Sequence, residues 1–275
     1  MHRLIASLTI AVALAGTVAL PAAGPALAGD PATGAFADDP VIVPEMAQSS
    51  PFTAAEREAL HAEIRSYLLA NPDLLMEMLQ ILEQKKQADA AVTDQQLVAD
   101  NRDGIFADGF SWVGGNPSGS VTIVEFLDYQ CGYCRKAQPD VAELLKSDGD
   151  IRLIVKEMPI LGPGSELAAR AAVATLVAKG AEAYAALHDR LMGSKGKIDD
   201  ASLDRALVES GLDPETIRVA MQDPEVERRL ASTRALAEKL SIAGTPTFVF
   251  DDRMVRGYVP LDTMKDLVGA ARSVD

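Results

Sequence analysis

The chain has 275 residues, 48% of them apolar and 24% charged, a balance suited to a soluble protein with a sizeable core. A formal net charge of −14 argues against a nucleic-acid partner, because phosphate recognition needs a cationic surface. Two cysteines and three scattered histidines exclude a multi-bridge disulfide scaffold and a four-thiolate metal site, so neither a metal nor a cofactor is expected.

Met1-His2-Arg3 precedes an uncharged apolar run from Leu4 to Leu20. Pro21 and Gly24 break that run, and Ala26-Leu27-Ala28 offers a small-x-small cleavage site. Residues 1–28 therefore read as a secretory signal, which implies export to a compartment where disulfides persist. A membrane anchor is the competing reading, disfavoured by the Ala-rich, Pro-interrupted end. Ala35-Phe36-Ala37 is a second possible cut. Residues 29–51, rich in Pro, Ala, Gly, Asp and Ser, read as a flexible lead.

Residues 52–105 read as a helical segment. Thr53 and Glu56 are spaced as a capping box, and Leu60, Ile64, Tyr67 and Leu68 follow at helical intervals. Asn71-Pro72 marks a new helix start, with Asn71 as the expected cap. Leu74, Leu75, Met78, Leu79 and Leu82 then form an apolar stripe, and the stretch from Lys85 to Asn101 is polar or Ala. The stripe needs a partner. It either packs on the rest of the chain or drives self-association over residues 52–100; the polar stretch, read as a stalk, favours self-association.

Residues 106–275 alternate strand and helix patterns and are expected to fold as an α/β domain. Val121 to Asp128 reads as a central strand, Ile151 to Lys156 as a second, and Thr247–Phe250 with Arg253–Arg256 as a hairpin. Five helical patterns lie between the second strand and the hairpin, an insert over about 163–241, and Leu261 to Arg272 makes a terminal helix.

Cys131-Gly132-Tyr133-Cys134 follows the first strand and opens a helix. Unpaired N–H groups and the dipole at a helix start favour a thiolate over a thiol. Cys131 is thus the expected attacking sulfur, and Cys134, one turn inside, the resolving one. A structural disulfide closing so short a loop would contribute little, and a Cu(I) or Zn(II) pair lacks further soft ligands nearby. Glu125 sits in the apolar strand, where a charge is costly unless it has a task, such as relaying protons to Cys134. The plainer alternative is an ordinary acid at a strand edge. Asp128 is expected to cap the helix or face solvent. His188 and Trp112 read as structural residues, and His61, on the N-terminal helix, reads as solvated. Met76 and Met78 read as interface packing rather than copper thioether ligands.

Gly244-Thr245-Pro246-Thr247 precedes the hairpin. Together with the strand, Glu125 and the cysteine pair, these residues resemble the thioredoxin fold, and the helical insert makes the resemblance one to its DsbA-like branch. The resemblance implies that Pro246 is a cis-proline opposite the cysteines and that Thr245 offers its backbone to an extended substrate. It also implies that Gly132 and Tyr133 border the substrate, and that Glu125 is the family's buried acid. Residues 52–100 look like the N-terminal segment of the suppressor-of-copper-sensitivity C (ScsC) proteins, some of which trimerise through it. The Gly-Tyr dipeptide and Thr245 look more like the isomerase DsbC than like the oxidase DsbA. The resemblance thus implies a periplasmic thiol–disulfide oxidoreductase acting on exported proteins, as an isomerase or reductase kept reduced by a membrane partner. A DsbA-like oxidase, a copper-binding protein using the same thiols and a holdase are the alternatives.

Overall fold

The computed structural model describes residues 51–273, so the signal expected over 1–28 and almost all of the lead over 29–51 lie outside the described residues. The chain divides into two compact units, one ending at Arg65 and the next beginning at Ser66. Helix α1 (Ala54–Ala70) starts on the expected capping box: Thr53 Oγ1 accepts from Glu56 N at 3.3 Å, and Glu56 Oε2 accepts from Thr53 N at 2.8 Å.

Helix α2 (Asp73–Asp100) follows, but Asn71 does not cap it. Its side-chain amide instead donates to Tyr67 O at 2.8 Å, the same carbonyl that accepts from Asn71 N at 3.0 Å. Leu75, Met78, Leu79 and Leu82 are exposed. The last turns of α2 depart from the expected stalk. Val98 is buried, Leu97 packs beside it, and Asp94 pairs with Arg256. Two adjacent apolar residues suffice to seat the helix, a signal that the polar average of the stretch conceals. Helix α3 (Arg102–Phe106) continues this docking through buried Ile105.

Five strands build one sheet in the order β1-β3-β2-β4-β5: β1 (Trp112–Gly115), β2 (Val121–Leu127), β3 (Ile151–Glu157), β4 (Thr247–Phe250) and β5 (Arg253–Arg256). β2 and β3 run parallel, and the other three pairs are antiparallel. β1 has no counterpart in the sequence-based expectation, because Trp-Val-Gly-Gly is only four residues long and half of it is glycine. Helix α4 (Gly132–Ser147) connects β2 to β3. Helices α5 (Pro163–Lys179), α6 (Ala181–Met192), α7 (Asp200–Glu209), α8 (Pro214–Ala220) and α9 (Pro224–Lys239) lie between β3 and β4, and α10 (Leu261–Arg272) ends the described chain.

Strand alternation sorts the sheet into two apolar faces. Ile123, Leu127, Val155 and Phe248 join α4, α5 and α10 in one core, and Val124, Phe126, Ile154 and Val249 join Val98 and Ile105 in the other. Among the described residues, no helix is long and apolar enough to cross a membrane.

Lys156 sits on the second face at 1% exposure, its ammonium 2.8 Å from Gly104 O and 2.5 Å from Asp108 Oδ2. Burial lowers its pKa, and the hydrogen bond and charge of Asp108 oppose that shift. Removing the acid leaves a buried cation unpaired, which typically costs about 3–5 kcal/mol. We expect Asp108→Ala to lose stability on that scale in urea unfolding at pH 7; a loss below ~1 kcal/mol would show that Lys156 is solvated or neutral.

Candidate active site

The site begins where β2 ends. β2 lies between β3 and β4, so Glu125, in register with Val155 and Phe248, has strands on both sides and is 1% exposed. Neither of its carboxyl oxygens has a hydrogen-bond partner. Burial, then the nearby Glu157, pushes its pKa up to about 8.

Asp128 neither caps α4 nor faces solvent. It is buried, and its carboxylate accepts from Gln130 N at 2.7 Å, Ile160 N at 2.8 Å and Leu161 N at 3.0 Å. A short polar residue after a strand looks like a turn residue in sequence; its three main-chain donors come from the fold. Asp128 O also accepts from Cys131 N at 3.0 Å, which sets the start of α4.

Cys131 is the N-cap residue of α4, beside the orphan N–H groups of the helix start. It is 9% exposed, and its sulfur lies 3.1 Å from Thr245 O. Cys134 is fully buried one turn further on, and both cysteines are free. Burial above all raises the Cys134 thiol well beyond its ordinary range; the Asp128 backbone opposes this, while Glu125 and Cys131 add to it. The two sulfurs therefore stand in different surroundings. Gly132 and Tyr133 lie at the rim, with Tyr133 63% exposed.

The Thr245–Pro246 bond is cis, and Thr247 Oγ1 donates to Gly244 O at 2.9 Å, which steadies this loop beside Cys131. The structure thus brings Cys131, Cys134, Glu125, Thr245 and Pro246 to one place, with Gly132 and Tyr133 at its edge. Among the described residues no group of three or more His, Cys, Asp or Glu side chains could hold a metal.

Two further side chains lock the turn to the helical insert. Arg135 donates from Nε to Tyr129 O at 2.7 Å and from its terminal nitrogens to Gly196 O and Ser194 Oγ. Gln130 Oε1 accepts from Ile198 N at 3.0 Å. The insert packs so closely that a Cβ on Gly164 would meet Ile198 O at 2.4 Å, so only glycine fits.

Sequence reasoning missed a second buried acid. Glu157 follows Lys156 at the end of β3, and the pair looks like a solvated strand end. Glu157 instead faces Tyr129, Tyr184 and His188 in the same interior as Glu125. The signal lay in the apolar run Leu153-Ile154-Val155 immediately before it. His188 and Trp112, which stacks on Tyr184 with ring centroids 5.3 Å apart, are structural neighbours in this cluster.

A cysteine pair opening a helix, beside a proline loop on a mixed sheet, defines a thioredoxin fold. Comparison with known proteins makes this specific: residues 122–269 match the DSBA-like thioredoxin domain, and residues 56–89 match the copper resistance protein ScsC N-terminal domain. The chain belongs to the DSBA-like thioredoxin family of thiol–disulfide oxidoreductases. A thioredoxin-like oxidoreductase from Silicibacter pomeroyi DSS-3 is 44% identical, with a TM-score of 0.60 over 63% of this chain and 98% of that one. ScsC of Proteus mirabilis in a transitional conformation is 28% identical, with a TM-score of 0.61 over 82% of this chain and all (100%) of that one. The Na(+)/H(+) antiporter NhaA 3 of Salinispora tropica is 31% identical over 153 residues, 55% of this chain; the match spans only 23% of the antiporter's length.

The raised pKa of Glu125 has a consequence for stability. The native state keeps a proton that the unfolded chain releases above about pH 4.5, so stability falls as pH rises from there to about 8. Glu125→Gln should flatten part of that decline, gaining more than about 1 kcal/mol over wild type at pH 8 while matching it near pH 4. Urea unfolding across that range checks this, and parallel profiles for the two proteins would contradict it.

Proposed function

We propose that this protein exchanges disulfides in exported proteins, as an isomerase or reductase in the periplasm. One observation carries the reading: the Cys131 sulfur stands at a helix start 3.1 Å from Thr245 O, with Cys134 buried one turn behind it. The Cys131 thiolate attacks one sulfur of a client disulfide; that bond breaks, and the other client sulfur leaves as a thiolate and takes up a proton. Cys131 is now joined to the client. Either a second client thiolate attacks the sulfur bonded to Cys131 and frees Cys131, which is isomerisation, or Cys134 completes a reduction. In the second case the ionised form of Glu125 takes the proton of Cys134, whose thiolate attacks the Cys131 sulfur and expels the client sulfur, leaving an intramolecular disulfide. A membrane electron donor then restores the dithiol. The Thr245 backbone suits an extended client segment, held by strand addition with Gly132 and Tyr133 at its border.

The signal-like residues 1–28 support an exported location. Exposed leucines on α2, together with the match to the ScsC N-terminal domain, support self-association through residues 52–100, as a trimer in the resemblance. Several sites around one cavity suit the reshuffling of a misfolded client.

Cys131→Ser should reduce exchange to the uncatalysed rate, and Cys134→Ser should accumulate a client joined to Cys131, visible on non-reducing gels; an unchanged rate in Cys131→Ser rules out the reading. Placing lysine at Leu75, Leu79 and Leu82 together should yield a monomer by light scattering and slow the refolding of a scrambled multi-disulfide client. Refolding at the wild-type rate by such a monomer would separate the assembly from the activity.

A further inference from the structure

The cluster around Glu157 forms a hydrogen-bonded chain from the interior to the surface. Tyr129 Oη lies 2.7 Å from Glu157 Oε1 and 3.1 Å from His188 Nδ1. A phenol has one proton and cannot donate to both. His188 Nε2 faces Gln138 Oε1 at 3.3 Å, and Gln138 Nε2 donates to Asp189 Oδ1 at 3.2 Å, where Asp189 is exposed.

Reading inward from the Asp189 carboxylate orders every proton. A carboxylate only accepts, so the Gln138 amide nitrogen faces it and the amide oxygen faces His188. Nε2 of His188 then carries the ring hydrogen. Burial holds this histidine neutral, lowering its pKa to about 4, so Nδ1 accepts and the Tyr129 proton goes to it. The Tyr129 oxygen is left as an acceptor, and Glu157 is the group that can donate. Tyr184, 2.5 Å from the same Glu157 oxygen, donates to it. The other oxygen, Oε2, is buried without a partner, tolerable for the carbonyl of an acid and costly for an anion.

We propose that Glu157 is a positioning residue: a neutral acid whose proton is held by this chain, leaving Glu125 as the carboxyl that ionises and takes the Cys134 proton. The inference rests on the exchange reading above and deepens it. Glu125 and Glu157 stand on the same face of neighbouring strands, two positions apart in register. A charge on Glu157 raises Glu125 by like-charge repulsion and keeps it protonated, so a neutral Glu157 lets Glu125 ionise more readily. The other groups facing Glu157 are already engaged. Asp128 is held by its three amides, Arg229 on α9 by Glu225, and Arg234 by Glu166 and Glu227; Glu238 lines a cavity on the α9 side. None of these cations is bonded to Glu157.

Infrared spectra of the reduced full-length protein at pH 7 test the protonation state without turnover. Two buried protonated carboxyl bands are expected, with Glu157→Gln removing one and Glu125→Gln the other; a Glu157→Gln spectrum that loses no band overturns the proposal. The functional arm uses the pH midpoint of the Cys134-dependent release of a client held on Cys131. His188→Phe keeps the ring stack but takes away the acceptor of the Tyr129 proton, so both tyrosines donate to Glu157 and favour its anion. The midpoint should rise by about one pH unit, and Glu157→Gln in the same chain should cancel the rise. A rise that persists in the double variant, or no rise in His188→Phe, overturns the proposal. Failure of either arm leaves the exchange reading to be decided by Cys131→Ser.

Discussion

The geometry of the site hangs on one carboxylate. Asp128 accepts three main-chain N–H groups, one from the active turn and two from the loop after β3, while its own carbonyl receives Cys131 N. A buried carboxylate is stable only when its oxygens are satisfied, so the strand end, the turn and the loop must come together in one arrangement. With the turn fixed, the start of α4 is fixed, and with it the place of the Cys131 sulfur beside Thr245. Arg135 and Gln130 extend the same logic outward to the helical insert. The reactive turn is therefore tied to rigid elements on three sides.

The interior treats its ionisable groups in different ways, and the differences separate structure from chemistry. Lys156 is paired on the face away from the cysteines. Asp128 is satisfied by amides. Glu157 has two tyrosines at one oxygen. Glu125 has no partner at either oxygen and sits where its charge raises the Cys134 thiol. An unsatisfied buried acid next to a buried thiol is costly for folding, and the proposed exchange would use that arrangement for proton transfer between the two.

Much of this was legible in the sequence because the decisive signals are local. The strand before Cys131, the helix after it, the capping box at Thr53 and the hairpin over 247–256 each follow from short-range pattern, and Glu125 stands out as a charge inside an apolar run. What was hidden depends on long-range contact. Asp128 looks like a turn residue until its amides arrive from residues 160 and 161. Glu157 looks solvated until α6 brings Tyr184 and His188 over it. β1 is too short to announce itself without its pairing to β3. The docking of Leu97 and Val98 vanishes in a polar average.

The docking of Leu97 and Val98 ties the end of α2 to the sheet. β5 is an edge strand, and edges with open N–H and C=O groups invite unwanted pairing. The last turns of α2 lie against β5, and Asp94 pairs with Arg256 there. The exposed stripe ends at Leu82 and the docked residue is Val98, joined by continuous helix. At a rise of about 1.5 Å per residue, roughly 24 Å of helix separates them. An assembly built on the stripe would therefore hold each cysteine pair at a helix-determined distance from its partners, with reach set by helix length instead of by a loose tether.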